Sequence, residues 1–266
     1  MTALITGAGR GIGKRLAIGF AQTGIRVGVL GRNQGELDLT KLEIEHAGGV
    51  AHLLRADVRD YEQVTTAVDR LSELAGGVDA LIANAAILGP IGPFASNRPR
   101  DWKDVFDTNV TGVMNACRAV LPQMLARRSG KIVVISDNCA AIPRPNFSAY
   151  AASKAALARF VECLAEEVRE HNIQVNSLAP GNANTTMTDE ILAADERAGT
   201  KEVEDAERTQ LTGGVSAEKQ IQLALFLISA RSNHLTGKLI SVADDWKKLE
   251  QENTRPDAFT LRRHLK

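Results

Sequence analysis

The sequence predicts an α/β fold: a doubly wound parallel sheet of seven strands with helices on both faces. Three observations predict it. Short β-branched or aliphatic runs alternate with longer helical patterns, the signature of βα units whose strands are buried on both sides. A glycine-rich turn, Thr6-Gly7-Ala8-Gly9-Arg10-Gly11-Ile12-Gly13, follows the first run and leads into a helix. Tyr150 and Lys154 lie one helical turn apart just after the fifth run.

Taken in order, strands are expected near Thr2–Thr6, Ile25–Leu30, Val50–Arg55, Val78–Ala83, Lys131–Ser136, Ile173–Leu178 and Lys238–Val242. Helical patterns fill the intervals. The one after Ala149 places Leu157, Phe160, Val161, Leu164 and Val168 on a single face, with Ala151, Ala152, Ala155 and Ala156 permitting close packing near its start. No Gly/Ser or Pro linker and no internal repeat divides the chain, so residues 1–245 read as one domain. Residues 186–215 fall outside the rhythm: they carry Gly199, Gly213 and Gly214, and eight acids against three bases between Asp189 and Arg208. They read as a mobile, partly helical substrate lid, the alternative being a solvated surface insertion. The tail, residues 246–266, with six Lys/Arg and three acids, either docks on a neighbouring subunit or frays.

Composition narrows the class. With 266 residues, 44% of them hydrophobic and 24% charged, the chain builds a core that needs no staple. The 32 Lys and Arg balance 32 Asp and Glu, so no net field attracts a nucleic acid or an anionic membrane. Cys117, Cys139 and Cys163 form neither a disulfide framework nor a metal-ligand pattern, which points to free thiols and no metal. Cys139, just past the fifth strand, reads as a buried inert thiol rather than a reactive one. No apolar run is long enough to span a membrane and the first strand starts at once, so a cytoplasmic protein acting on a small molecule is expected.

The glycine turn carries the first chemistry. Glycines let backbone approach a pyrophosphate, whose charge meets N–H groups and the positive end of the following helix. Gly7, Gly11 and Gly13 give G-x-x-x-G-x-G rather than G-x-G-x-x-G, with Gly9 and Ile12 between them. After the second strand, a free ribose 2′-hydroxyl calls for an acid and a 2′-phosphate for arginine. Here Val29-Leu30-Gly31-Arg32-Asn33 offers no acid before Glu36, and Arg10 is a second cation, so NADP(H) is expected over NAD(H). Asp57 and Val58 are placed to meet the adenine, and Asn84, Ala85 and Ala86 to brace the cleft. Tyr150 and Lys154 project from one helix face at the carboxyl ends of the strands; an ammonium nearby favours the phenolate and makes tyrosine usable as an acid or base.

These motifs together resemble the short-chain dehydrogenase/reductase family over roughly residues 2–243: TGAGRGIG at 6–13, DV at 57–58, NAA at 84–86, Asn109, YAASK at 150–154, and Pro180-Gly181 followed by Ala183 and Thr185. The resemblance implies a Rossmann-like sheet of order 3-2-1-4-5-6-7. It implies that Tyr150 is the general acid/base, that Lys154 holds the nicotinamide ribose and lowers the tyrosine pKa, and that Asn109 holds a relay water. It implies that Pro180 to Thr185 positions the nicotinamide amide. It further implies a homodimer or homotetramer, with helices around 102–126 and 149–171 at the interface.

Two departures stand out. The family's catalytic serine falls at Asp137, with Ser136 before it and Asn138 after. An ionised aspartate only accepts hydrogen bonds and opposes phenolate formation nearby. Three readings follow: Ser136 or Asn138 reaches the substrate oxygen; Asp137 binds a hydroxyl or amine, or donates when protonated; or the protein is a catalytically altered or inactive cofactor-binding or regulatory relative. The second departure is the end of the chain, where Asp244-Asp245-Trp246 replaces the acid-and-glycine finish and twenty residues follow Trp246. Trp246 and the tail are expected to cover part of a substrate cleft, that of the same chain or of a neighbouring subunit. The leading expectation is an NADP(H)-dependent oxidoreductase interconverting a secondary alcohol and a carbonyl on a small polar, sugar-like substrate.

Overall fold

The computed structural model describes residues 1–250 and 257–261. Seven parallel strands form one sheet of order β3-β2-β1-β4-β5-β6-β7. They are β1 Thr2–Thr6, β2 Arg26–Gly31, β3 Ala51–Arg55, β4 Ala80–Ala83, β5 Gly130–Ile135, β6 Ile173–Ala179 and β7 Leu239–Ser241. The strands fall within a residue or two of their expected bounds. The differences sit at the ends: Ser136 leaves the strand although its N–H still donates to Leu178 O at 2.8 Å, and β7 shortens at both ends.

The helices divide between the two faces. α1 (Gly11–Gln22), α2 (Gln34–His46) and α9 (Ala217–Ile228) bury Leu16, Phe20, Leu37, Ile44, Leu223 and Leu227 against Ile5, Val29, Ile82 and Val133. α3 (Tyr61–Ala75), α5 (Gly112–Arg127) and α6 (Ser148–Glu167) bury Val68, Leu71, Val120, Leu157 and Val161 against Leu4, Leu81, Ile132 and Val134. Each fully buried aliphatic side chain contributes about 1.5–3 kcal/mol. Odd and even residues of a strand face opposite sides, so the strands are apolar throughout.

One helix departs from the expected single run over 102–126. Pro99 opens α4 (Pro99–Phe106), and a π-helical turn, Asp107–Thr111, joins it to α5. The extra residue per turn puts Asn109 wholly inside the fold, where its amide bonds Ile87 and Ser153.

Residues 186–215 form α7 (Thr186–Ala194) and α8 (Thr200–Thr212), linked by a short 3-10 turn. They pack through Ile191, Ala194, Ala198 and Ala206 on Leu88, Phe147 and Tyr150, a third apolar cluster separate from the two faces of the sheet. Trp246 does not cover the cleft of its own chain: its ring packs at a tilt on Phe226 of α9 with centroids 5.3 Å apart, because the apolar C-terminal half of α9 offers it a buried partner. The described tail docks on its own chain, with Leu249 buried and Leu239 N–H donating to Phe259 O at 2.8 Å. No helix among the described residues is long and apolar enough to cross a membrane.

Candidate active site

The carboxyl ends of β1 and β4 meet at the glycine turn. Thr6 Oγ1 accepts from the N–H groups of Asn84 (2.9 Å) and Ala85 (3.1 Å). The Asn84 amide donates to the carbonyls of Thr6 (2.9 Å) and Gly7 (3.2 Å). Gly7 has φ +65°, and a Cβ on Gly13 would stand 2.4 Å from Gly7 O, so neither position admits a side chain without moving backbone. α1 starts at Gly11, and Arg10, its N-cap, supplies no side-chain acceptor. The N–H groups of the first turn are therefore left for an anion.

A cavity of about 510 Å³ lies over this turn, floored by Gly7, Gly9, Arg10, Gly11 and Ile12. Arg32, Asp57 and Val58 line its far end, and Asn84, Ala85 and Thr185 its near end. Asp57 accepts from Arg59 Nη2 at 2.6 Å, which holds its carboxyl below the usual range, and lies 3.9 Å from Arg32 Nη1. Arg10 Nη1 lies 3.6 Å from Glu36 Oε1. These residues fit a dinucleotide: a glycine floor at a helix N-terminus for the pyrophosphate, and arginines at the ribose end.

A second cavity, of about 360 Å³, shares Ile12, Asn84, Ala86, Thr185 and Met187 with the first and holds Asp137, Tyr150 and Lys154. Lys154 Nζ donates to Ile135 O at 2.8 Å and lies 5.4 Å from the centre of the Tyr150 ring. Burial lowers the Lys154 ammonium pKa, against the opposing pull of Asp137. Burial, then the charge of Asp137, pushes the Tyr150 hydroxyl well above the usual phenol range. Arg144 is a cation that pulls it back down.

Of the three polar residues after β5, Asp137 is the one whose charge acts on Tyr150. Its Oδ1 accepts from Cys139 N–H at 2.8 Å and its Oδ2 lies 4.0 Å from Arg144 Nη1. Ser136 and Asn138 line the same cavity as Asp137, and Ser136 Oγ is buried there without a hydrogen-bond partner. Asn109 bonds the Ile87 N–H (2.8 Å), Ile87 O (3.0 Å) and Ser153 Oγ (3.1 Å), and Ser153 donates to Tyr150 O at 2.6 Å. It therefore braces the Tyr150 turn of α6 and lines neither cavity.

Pro180, Gly181 and Ala183 form the opposite wall. Pro180 O accepts from the buried Gln220 amide at 3.0 Å, Gly181 has φ +68°, and Ala183 bridges to Gly214. Thr185 N–H donates to Thr188 Oγ1 at 3.3 Å at the start of α7. Cys139 is buried, and burial raises its thiol pKa above the ordinary range. The sequence reading missed Arg144 and Glu202. Arg144 Nη2 donates to Glu202 Oε2 of α8 at 2.6 Å, and its guanidinium lies 4.2 Å over Phe147. The signal was faint: an arginine between two prolines, Pro143-Arg144-Pro145, six residues before Tyr150.

A doubly wound sheet with a glycine turn, and a tyrosine–lysine pair in the adjoining cavity, define a nicotinamide-dependent oxidoreductase working between alcohols and ketones. The chain belongs to the short-chain dehydrogenase family, whose model matches residues 1–196. It is 35% identical over 240 residues to a 2,3-dihydro-2,3-dihydroxybenzoate dehydrogenase of Bacillus subtilis, covering 88% of this chain and 91% of that one. It is 34% identical over 242 residues to a gluconate 5-dehydrogenase of Gluconobacter oxydans, covering 90% and 92%. Among solved structures it superposes on an actinorhodin polyketide ketoreductase with NADPH at a TM-score of 0.83, with 29% identity over 91% of this chain and 95% of that one.

Proposed function

We propose that the protein is an NADP(H)-dependent oxidoreductase that interconverts a secondary alcohol and a carbonyl on a small polar substrate bearing more than one hydroxyl. The observation that carries this reading is the placement of Asp137, Tyr150 and Lys154 on one cavity joined to the groove over the glycine turn. The cofactor supplies a hydride donor or acceptor when bound.

Gly7, Gly9, Gly11 and Gly13 let the pyrophosphate approach the backbone, and Arg10 and Arg32 meet the 2′-phosphate. Val58 and Asp57 flank the adenine, and Pro180 to Thr185 hold the carboxamide end. Tyr150 exchanges the proton with the reacting oxygen. Its raised pKa keeps the phenol protonated, suiting it to donate during carbonyl reduction. Lys154, fixed by Ile135 O, orients the ribose. Asp137 cannot donate to a developing alkoxide while ionised, so it is assigned to the substrate: its carboxylate accepts from a second hydroxyl beside the reacting carbon. The relatives named for dihydroxybenzoate and gluconate chemistry act on hydroxylated acids, which supports the same substrate class.

The test begins with nicotinamide fluorescence, titrating NADPH and NADH. A preference for NADPH of about tenfold, near 1.4 kcal/mol, that collapses in Arg32→Ala supports the cofactor assignment; equal affinity removes it, and no binding of either removes the oxidoreductase reading of the groove. Turnover of vicinal diols and their ketones then tests the substrate class: Asp137→Ser should favour simple secondary alcohols over diols. One observation favours a second reading. With an acceptor-only residue beside Tyr150, a cofactor-binding regulatory protein without turnover would bind NADPH yet reduce none of these ketones.

A further inference from the structure

The first turn of α2 places an acid where the groove most needs a cation. Asn33 Oδ1 accepts from Glu36 N–H, and Thr40 Oγ1 lies within hydrogen-bonding distance of the carbonyls of Ala8, Gly9 and Glu36. These contacts tie α2 to the glycine turn. A Cβ on Gly9 would stand 2.9 Å from Glu36 Cβ and 3.1 Å from its Oε2, so the carboxylate rests on Gly9 itself. Its other oxygen lies 3.6 Å from Arg10 Nη1.

Arg32 also faces an acid, its Nη1 lying 3.9 Å from Asp57, but that carboxylate is held by three close contacts from the Arg59 side chain, so Arg32 is the less committed of the two arginines. Glu190 of α7 lines the same groove, its carboxyl pushed up by burial against the opposing pull of Arg10. Each arginine available to a phosphate is thus faced by a carboxylate.

We propose that Glu36 is an internal competitor for the 2′-phosphate: a carboxylate that occupies Arg10 in the free protein, repels a phosphate that takes Arg10 over, and so holds the preference for phosphorylated cofactor below what two arginines would give. This rests on the dinucleotide reading of the groove and names its discriminating residue. A ribose with a free 2′-hydroxyl carries no charge there and meets no such repulsion. Arg10 and Glu36 are both partly exposed, so the effect is moderate and weakens with salt.

The probes are adenosine 2′,5′-bisphosphate and 5′-AMP, which share the adenosine end and differ in the 2′-phosphate, titrated calorimetrically at low salt. Glu36→Gln should tighten the bisphosphate about fivefold, about 1 kcal/mol, and leave 5′-AMP within about twofold. Glu36→Asp, which keeps the charge, should show no such gain, and adding Arg10→Gln to Glu36→Gln should cancel it. Parallel changes in both nucleotides would mean that Glu36 only holds the turn in place, and overturn the proposal. No change in either would overturn it equally. Failure of the wild-type protein to bind NADPH or NADH brings down the groove assignment itself. Binding of both, with a ratio indifferent to Glu36→Gln, brings down only the role of Glu36.

Discussion

Arg144 reaches across the catalytic cavity to Glu202, donating to Oε2 from Nη2 at 2.6 Å and from Nε at 3.1 Å. The pair ties the loop that precedes Tyr150 to α8, in the segment assigned as a lid. Both side chains are mostly buried, with 18% and 22% exposure, so the pair is less screened than a surface contact. We predict that Glu202→Gln loosens α8 without removing the guanidinium from Tyr150. Hydrogen exchange should rise in residues 186–212 while NADPH affinity stays within about twofold, because neither partner lines the groove over the glycine turn. Unchanged exchange in α8 would show that Ile191, Ala198 and Ala206 hold residues 186–212 by themselves.

The Tyr150 hydroxyl feels two opposed charges, Asp137 raising its pKa and Arg144 lowering it. Removing the negative charge lowers the pKa and removing the positive one raises it. Asp137→Asn should therefore shift the Tyr150-dependent limb of the pH–rate profile to lower pH, and Arg144→Met should shift it to higher pH. In the reduction direction activity falls as the phenol ionises, so Asp137→Asn loses activity at a lower pH than the wild type. Two limbs that stay put would assign the observed ionisation to a group other than Tyr150.

A buried lysine far from the catalytic end gives a stability prediction. Lys131, at the start of β5, bonds Ser232 Oγ (3.3 Å) and Asn233 Oδ1 (2.7 Å), and burial lowers its pKa to about 8. The unfolded chain binds this proton more tightly than the native state does. The cost of keeping Lys131 charged is therefore full below about pH 8 and vanishes as pH rises towards 10.5. At pH 7 that cost is about 3 kcal/mol at most. Lys131→Met should be more stable than the wild type in urea at pH 7 by about 1–3 kcal/mol, with the gap narrowing by about pH 9.5. A gap independent of pH would attribute the gain to packing instead.

The sheet and the glycine turn were legible because their signals are local: apolar runs of strand length, and glycines at positions where a side chain would strike backbone. Tyr150 and Lys154 were legible for the same reason, four residues apart on one helix. The partners that set the tyrosine's acidity were not. Arg144 acts on Tyr150 only because Phe147 and Glu202 hold its guanidinium, and Glu202 is 58 residues away in sequence. Asn109 was named from its motif, but its burial depends on a π-helical turn that no periodicity in 102–126 announces. The place of Trp246 within its own chain was not legible either, because a lone aromatic near the end of a chain carries no sign of its partner, here Phe226.

The described part of the tail also has a place on its own chain. Besides the Leu239–Phe259 bond, Lys238 Nζ donates to Ala258 O at 2.9 Å, Leu261 N–H to Glu162 Oε1 at 2.7 Å, and Arg159 Nη2 to Leu261 O at 2.8 Å. These contacts lay residues 257–261 along β7, the edge strand of the sheet, and beside α6. None of the residues making them lines either cavity. A chain ending at Glu250 should therefore bind NADPH as the full-length protein does. It should lose about 2 kcal/mol of stability for four net hydrogen bonds. An uncovered edge strand is also a template for pairing with another chain, so the shortened protein should associate further at concentrations where the full-length protein keeps its own size. Light scattering and a nucleotide titration on the same sample check both halves. Weakened nucleotide binding at unchanged mass would return the tail to the cleft.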